Sequence, residues 1–129
     1  MTRVQPAIAP ADLVRSAYRA VELRDLSLLG TMLAADVAWY GPPDPAGHAT
    51  QLLGRTAVLG RLTELVEQSS GRFTVRLQRL YADPGRRVVA FHEIARRTGS
   101  PRTECMLYEI RDGRVRRAIS LAPMASGPP

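Results

Sequence analysis

The chain has 129 residues, of which 45% are hydrophobic, and a single cysteine. That length sets one domain with a core of its own, and the composition excludes a disordered chain, a disulfide framework and a cysteine metal cluster. The net charge is +6 and all 18 basic residues are Arg, a bias that points to a high-GC bacterial genome and weakens any nucleic-acid reading built on Arg count alone.

Residues 1–9 read as a loose tail without the apolar run of a signal peptide. Pro10 and Asp12 open a first helix, which presents Leu13, Val14, Ala17, Tyr18 and Val21 on one face and ends near Leu23. Asp25 is placed to cap a second helix over Leu26–Ala35. Gly30 inside it costs about 1 kcal/mol in propensity and implies a packing reason. The run Val37–Tyr40 is short and aromatic, as a strand is. A Pro- and Gly-rich loop follows over Gly41–Leu53. Gly54 then opens a third helix with Val58, Leu59, Leu62, Leu65 and Val66 on its apolar face, stopped by Ser69-Ser70-Gly71.

From Phe73 onward the pattern is strand. Phe73, Val75 and Leu77 alternate with polar residues. Turns at Asp83-Pro84-Gly85, Thr98–Pro101 and Asp112-Gly113 separate Val88–Arg96, Thr103–Ile110 and Val115–Leu121. Residues 123–129 read as a second loose tail. The order α-α-β-α-β-β-β-β is an α+β class: three N-terminal helices on a strongly curved antiparallel sheet that encloses a cone-shaped cavity. The longest apolar stretch, Leu26–Tyr40, is interrupted and too short to span a bilayer. A soluble, cytoplasmic protein with no membrane partner is expected.

The segment LRDLSLLGTMLAADVAWYGPP, the helix start GRTAV and the closing hairpin YEIRDGRV stand in this order over residues 11–122. Together they resemble the SnoaL-like group of the nuclear transport factor two superfamily. The resemblance implies the cone fold, no cofactor, a homodimer and a small apolar or polyketide-like ligand inside the cone. It covers ketosteroid isomerases, epoxide hydrolases, polyketide cyclases, dehydratases and silent binding domains, so it gives a place rather than a reaction. The isomerase triad is absent: its three positions fall on Gly41, Ala17 and Met106. No convincing Asp-x-Arg set marks an epoxide hydrolase; Glu93 and Glu104 lie near Arg residues.

Candidate chemistry concentrates on Phe91-His92-Glu93. Neighbours on a strand face opposite ways, so only one of His92 and Glu93 meets the cavity. Alignment to the family by the hairpin puts Phe91 and Glu93 inward and His92 outward; a one-residue bulge would exchange them. An inward Glu93 among apolar neighbours suits a general acid or base. Tyr18 on the first helix and His48 in the loop at the expected mouth are the assisting candidates. Trp39, Tyr40, Phe91, Met106, Tyr108 and Ser120 are expected to bind substrate, with Tyr40 either at the rim or on the outer face. His48 and His92 lack metal-ligand spacing, and no third ligand is evident.

Charge is uneven along the chain, −1 over residues 1–71 and +7 over 72–129. The Arg residues split between turns at the two ends of the meander rather than forming one stripe, so no nucleic-acid partner is expected. Two functions follow as expectations. One is a cofactor-independent SnoaL-type enzyme (cyclase, isomerase, dehydratase or epoxide hydrolase) of natural-product biosynthesis. The other is a catalytically silent ligand-binding or dimerisation domain.

Overall fold

The computed structural model describes residues 9–41, 50–95 and 100–121. Three helices, α1 (Pro10–Glu22), α2 (Leu26–Met32) and α3 (Arg55–Gln68), pack on one curved, unclosed six-stranded sheet. The strands are β1 (Leu33–Gly41), β2 (Thr50–Leu53), β3 (Thr74–Ala82), β4 (Arg87–Ala95), β5 (Arg102–Arg111) and β6 (Arg114–Leu121). Their order across the sheet is β2-β1-β6-β5-β4-β3. All pairs are antiparallel except β1 with β6, which run parallel. The α+β architecture is therefore as the sequence implies.

Two boundaries differ. The second helix stops at Met32 and Leu33 already begins β1. Ala34 and Ala35 continue the apolar run, but the strand is held there by pairing of Leu33 with Val115 and by both Nε and Nη2 of Arg55 donating to the Leu33 carbonyl, at 3.1 and 2.9 Å. Tertiary hydrogen bonds outweigh the helix propensity of two alanines, worth only tenths of a kcal/mol each. The loop also contains a strand: Leu52 pairs with Trp39 and Gln51 with Tyr40, making β2 an edge that lengthens the cavity wall.

Local chemistry fixes the helix layer. The Asp25 carboxylate accepts from the Leu28 N–H at 3.0 Å, the N-cap its position implies. Gly30 lets α2 approach α3 closely: a Cβ there would stand 3.3 Å from Leu59 Cδ1, so that side chain would have to give by a few tenths of an ångström. Gly54, at φ +94°, makes the turn into α3 that an L side chain resists. Leu13, Val14, Leu33, Val37, Val88, Ala90 and Val115 form the shared core. On α3 only Val58 is fully buried; Leu62 and Leu65 face a hollow instead. The apolar face that periodicity assigns to a core is here the wall of a cavity.

Candidate functional site

The hollow between helices and sheet has a volume of about 820 Å³. Its walls come from α1 (Val14, Ala17, Tyr18), α3 (Leu62, Leu65), β1 (Trp39) and the inward residues of β4 and β5. Along β5 those are Arg102, Glu104, Met106 and Tyr108, at every second position as the pleat demands.

Strand pairing decides which side of β4 joins them. Ala90 stands opposite Met106, and His92 opposite Glu104. Residues directly opposite share a face, so His92 points inward and Glu93 outward, where it stands opposite Arg76. The expectation of an inward Glu93 and an outward His92 is thereby reversed. Phe91 is corrected with it: it pairs with Cys105 and packs on the outer face against Tyr81, ring centroids 6.1 Å apart, with the Arg79 guanidinium 5.0 Å above its ring. Phe91 and Met106 cannot share a wall in this register. No bulge in β4 is needed; the irregularity lies in β3, between Leu77 and Arg79.

The cavity thus holds His92, 5% exposed, within a chain of buried polar groups. His92 Nε2 lies 3.0 Å from Glu104 Oε1. Tyr18 Oη lies 2.5 Å from His92 Nδ1 and 2.7 Å from Tyr108 Oη. A carboxylate only accepts, so Nε2 carries the proton toward Glu104. In the neutral imidazole Nδ1 then accepts from the Tyr18 hydroxyl, and Tyr18 accepts from Tyr108. The second oxygen of Glu104 lies 3.5 Å from Arg102 Nη2. No buried side-chain nitrogen or oxygen among the described residues lacks a partner.

Burial, reinforced by Tyr108 and then by the Glu104 charge, drives the Tyr18 phenol far above its ordinary range. Burial drives Tyr108 the same way, opposed by its hydrogen bond with Tyr18 and reinforced by the Glu104 charge. Both hydroxyls are therefore donors, not standing bases. The sign carries to stability. The fold keeps these two protons above about pH 10, where an unfolded chain's tyrosines lose theirs. Their contribution is intact below that pH and lost as pH rises beyond it. In a spectrophotometric titration, the phenolate absorbance of Tyr18 and Tyr108 is expected only when the fold opens. Tyr18→Phe should remove part of that late signal; its appearance ahead of unfolding would contradict the burial argument.

The other expected site residues divide. Trp39 lines the cavity with its ring 6.0 Å from that of Tyr108, and Met106 and Tyr108 line it as expected. Tyr40 takes the outer-face alternative, with the Arg117 guanidinium 5.7 Å over its ring. Ser120 stands opposite Met106 but is not among the lining residues. His48 lies outside the described residues. Gly41, Ala17 and Met106, the three positions of the missing isomerase triad, all line the cavity, so the hollow is kept while its polar groups sit elsewhere. Glu104, which the sequence marks only by its Arg neighbours, is the site residue that sequence reasoning did not place in the cavity. Its signal is its place two and four residues before Met106 and Tyr108, on the same face. Cys105 lies across the pleat, and burial pushes its thiol up, away from nucleophilic use. Among the described residues no three His, Cys, Asp or Glu side chains gather as a metal site, and no helix is long and apolar enough to cross a membrane.

Comparison with known proteins agrees with this architecture. Bal32a, from a soil-derived mobile gene cassette, superposes with a TM-score of 0.79 at 23% identity over 88% of each chain. A Kribbella flavida protein provisionally named a ketosteroid isomerase gives 0.75 at 21% identity over 95% of this chain and 84% of its own. TerC, co-crystallized with polyporic acid, gives 0.70 at 20% identity over 88% and 91%. At such identities these likenesses establish the fold. No curated protein sequence matches significantly. The sequence profile of the SnoaL-like domain matches residues 14–118, most of the chain and every element that builds the cavity, and the protein therefore belongs to the SnoaL-like family.

Proposed function

We propose that the protein is a cofactor-independent acid–base enzyme that forms an enolate from a ring-bearing or polyketide-like ketone, leading to isomerisation or cyclisation. The observation that carries this reading is the buried Glu104–His92–Tyr18–Tyr108 chain on the wall of an otherwise apolar cavity. A substrate carbonyl oxygen draws the Tyr18 hydroxyl away from His92 Nδ1. That one movement supplies an oxyanion donor and uncovers the base. Nδ1 takes the α-carbon proton, Glu104 balances the resulting imidazolium, and Tyr108 donates to the Tyr18 oxygen and strengthens its donation. The imidazolium then returns the proton at another carbon, or the enolate carbon adds to a second carbonyl held nearby by the apolar walls and the resulting alkoxide takes the proton back from the imidazolium.

The co-crystal of TerC with polyporic acid and the isomerase name of another neighbour support a ring-containing ligand. The same reading takes the protein as a cytoplasmic homodimer of bacterial natural-product biosynthesis; light scattering on the purified protein reads the oligomer.

The test is exchange of α-protons. 2-Tetralone incubated with the protein in D2O is followed by NMR. Wild type is expected to speed loss of the α-C–H signal well beyond buffer. Exchange at the buffer rate, with the ketone shown to bind, would leave the cavity as a binding site without acid–base chemistry.

A further inference from the structure

We propose that the cavity is built for a ligand that joins an apolar ring system to a single carboxylate, and that Arg102 at the rim is the residue that reads the carboxylate. The inference rests on the acid–base reading for the placement of the ring, and its own evidence is the distribution of charge. Apart from His92, the charged side chains lining the cavity among the described residues are Arg61, Arg102 and Glu104. Glu104 is deep, 16% exposed, and committed to His92. The two Arg are at the rim, 39% and 66% exposed. An apolar interior with a cationic edge suits an anion whose body is buried and whose charge stays near water.

Arg102 is better placed than Arg61. It lies two residues from Glu104 on the inward face of β5, roughly 7 Å along the strand. A ring ketone with its oxygen at Tyr18 would therefore bring a substituent on its far side to the guanidinium. Arg102 is also underused. A guanidinium offers five N–H donors in a planar fork that fits a carboxylate bidentately. Its contact with Glu104 is a single 3.5 Å approach, well beyond the 2.7–2.9 Å of a tight charge-assisted bond. Arg61 instead pairs with Glu64 on its own helix, at 3.3 Å in an exposed setting. The charge count favours a monoanion. Arg61 is offset by Glu64, which leaves Arg102 as the less committed of these two cations, and the Glu104 charge beside it opposes a dianion.

The test compares 2-naphthoate with 2-naphthamide, matched in shape and differing in charge, by titration calorimetry at low and high salt. Wild type is expected to prefer the acid about tenfold, with the preference shrinking as salt rises. In Arg102→Gln the acid should weaken to the level of the amide while amide affinity stays as it was, which also shows the cavity intact. Equal binding of acid and amide by wild type, or an unchanged preference in Arg102→Gln, overturns the proposal. Loss of the preference in Arg61→Gln alone reassigns the anion away from Arg102 and overturns it equally. Neither ligand needs to react. Acid preference without tetralone exchange would sink only the acid–base reading, and exchange without acid preference would sink only this one.

Discussion

Replacing His92 by Gln is expected to lower the tetralone exchange rate by about 10²–10⁴-fold, the range for loss of a positioned general base. Gln is chosen because its amide can still donate toward Glu104 and accept from Tyr18, so the buried chain stays bonded and a loss of rate reads chemistry rather than folding. Tyr18→Phe should cost about 10²-fold or more through the missing oxyanion donor. Combining the two should cost little beyond His92→Gln alone, because the Tyr18 hydroxyl only acts when a base stands ready behind it. Full activity in His92→Gln would make the chain a structural network and end the catalytic reading. Fully additive losses would separate the two side chains into independent roles.

Phe73→Ala is expected to be the most damaging core truncation, at about 3 kcal/mol. Phe73 is 1% exposed and sits where α3 turns into β3. Its N–H donates to Ser69 Oγ at 2.8 Å, and its carbonyl accepts from the Arg24 guanidinium, which also reaches the Gly71 carbonyl at 3.1 Å. The buried ring thus sits at the corner where these backbone hydrogen bonds tie the α1–α2 connection to the start of β3. Aromatic truncations cost about 3–5 kcal/mol. The lower end applies because Phe73 also lines the cavity, so the space it vacates joins a hollow that water can enter instead of forming a sealed void. A domain of ordinary stability, about 5–15 kcal/mol, survives that loss. Urea denaturation should show a lower midpoint with an unchanged slope. A shift under about 1 kcal/mol would mean that the corner is held by its hydrogen bonds and not by the ring.

The helices and the longer strands were legible because each carries its own period, whereas β2, four residues long, is too short to show one. Leu13, Val14 and Tyr18 mark a helical face, and Phe73, Val75 and Leu77 alternate as a strand does. Asp25, Gly54 and Asp112-Gly113 are punctuation with a local physical cause, and they lie where the chain turns. Gly30 announced a close approach, and Leu59 is what approaches. The end of α2 was not legible, since Ala34 and Ala35 suit a helix by themselves and only Arg55 and Val115, distant in sequence, make that stretch a strand.

The sequence by itself thus determined the class, the order of every element except the short β2, and, through the family resemblance, a hollow lined by Tyr18, Trp39, Met106 and Tyr108. Tertiary structure alone decided which of His92 and Glu93 faces the cavity. Side-chain direction in a strand has a period of two, so a single step in register exchanges the faces, and nothing local to His92-Glu93 sets that step. It is set across the sheet, by Ala90 against Met106 and His92 against Glu104. The same pairing brings Glu104 to the imidazole and leaves Arg102 at the rim, because cross-strand neighbours are made by the sheet and not by the chain.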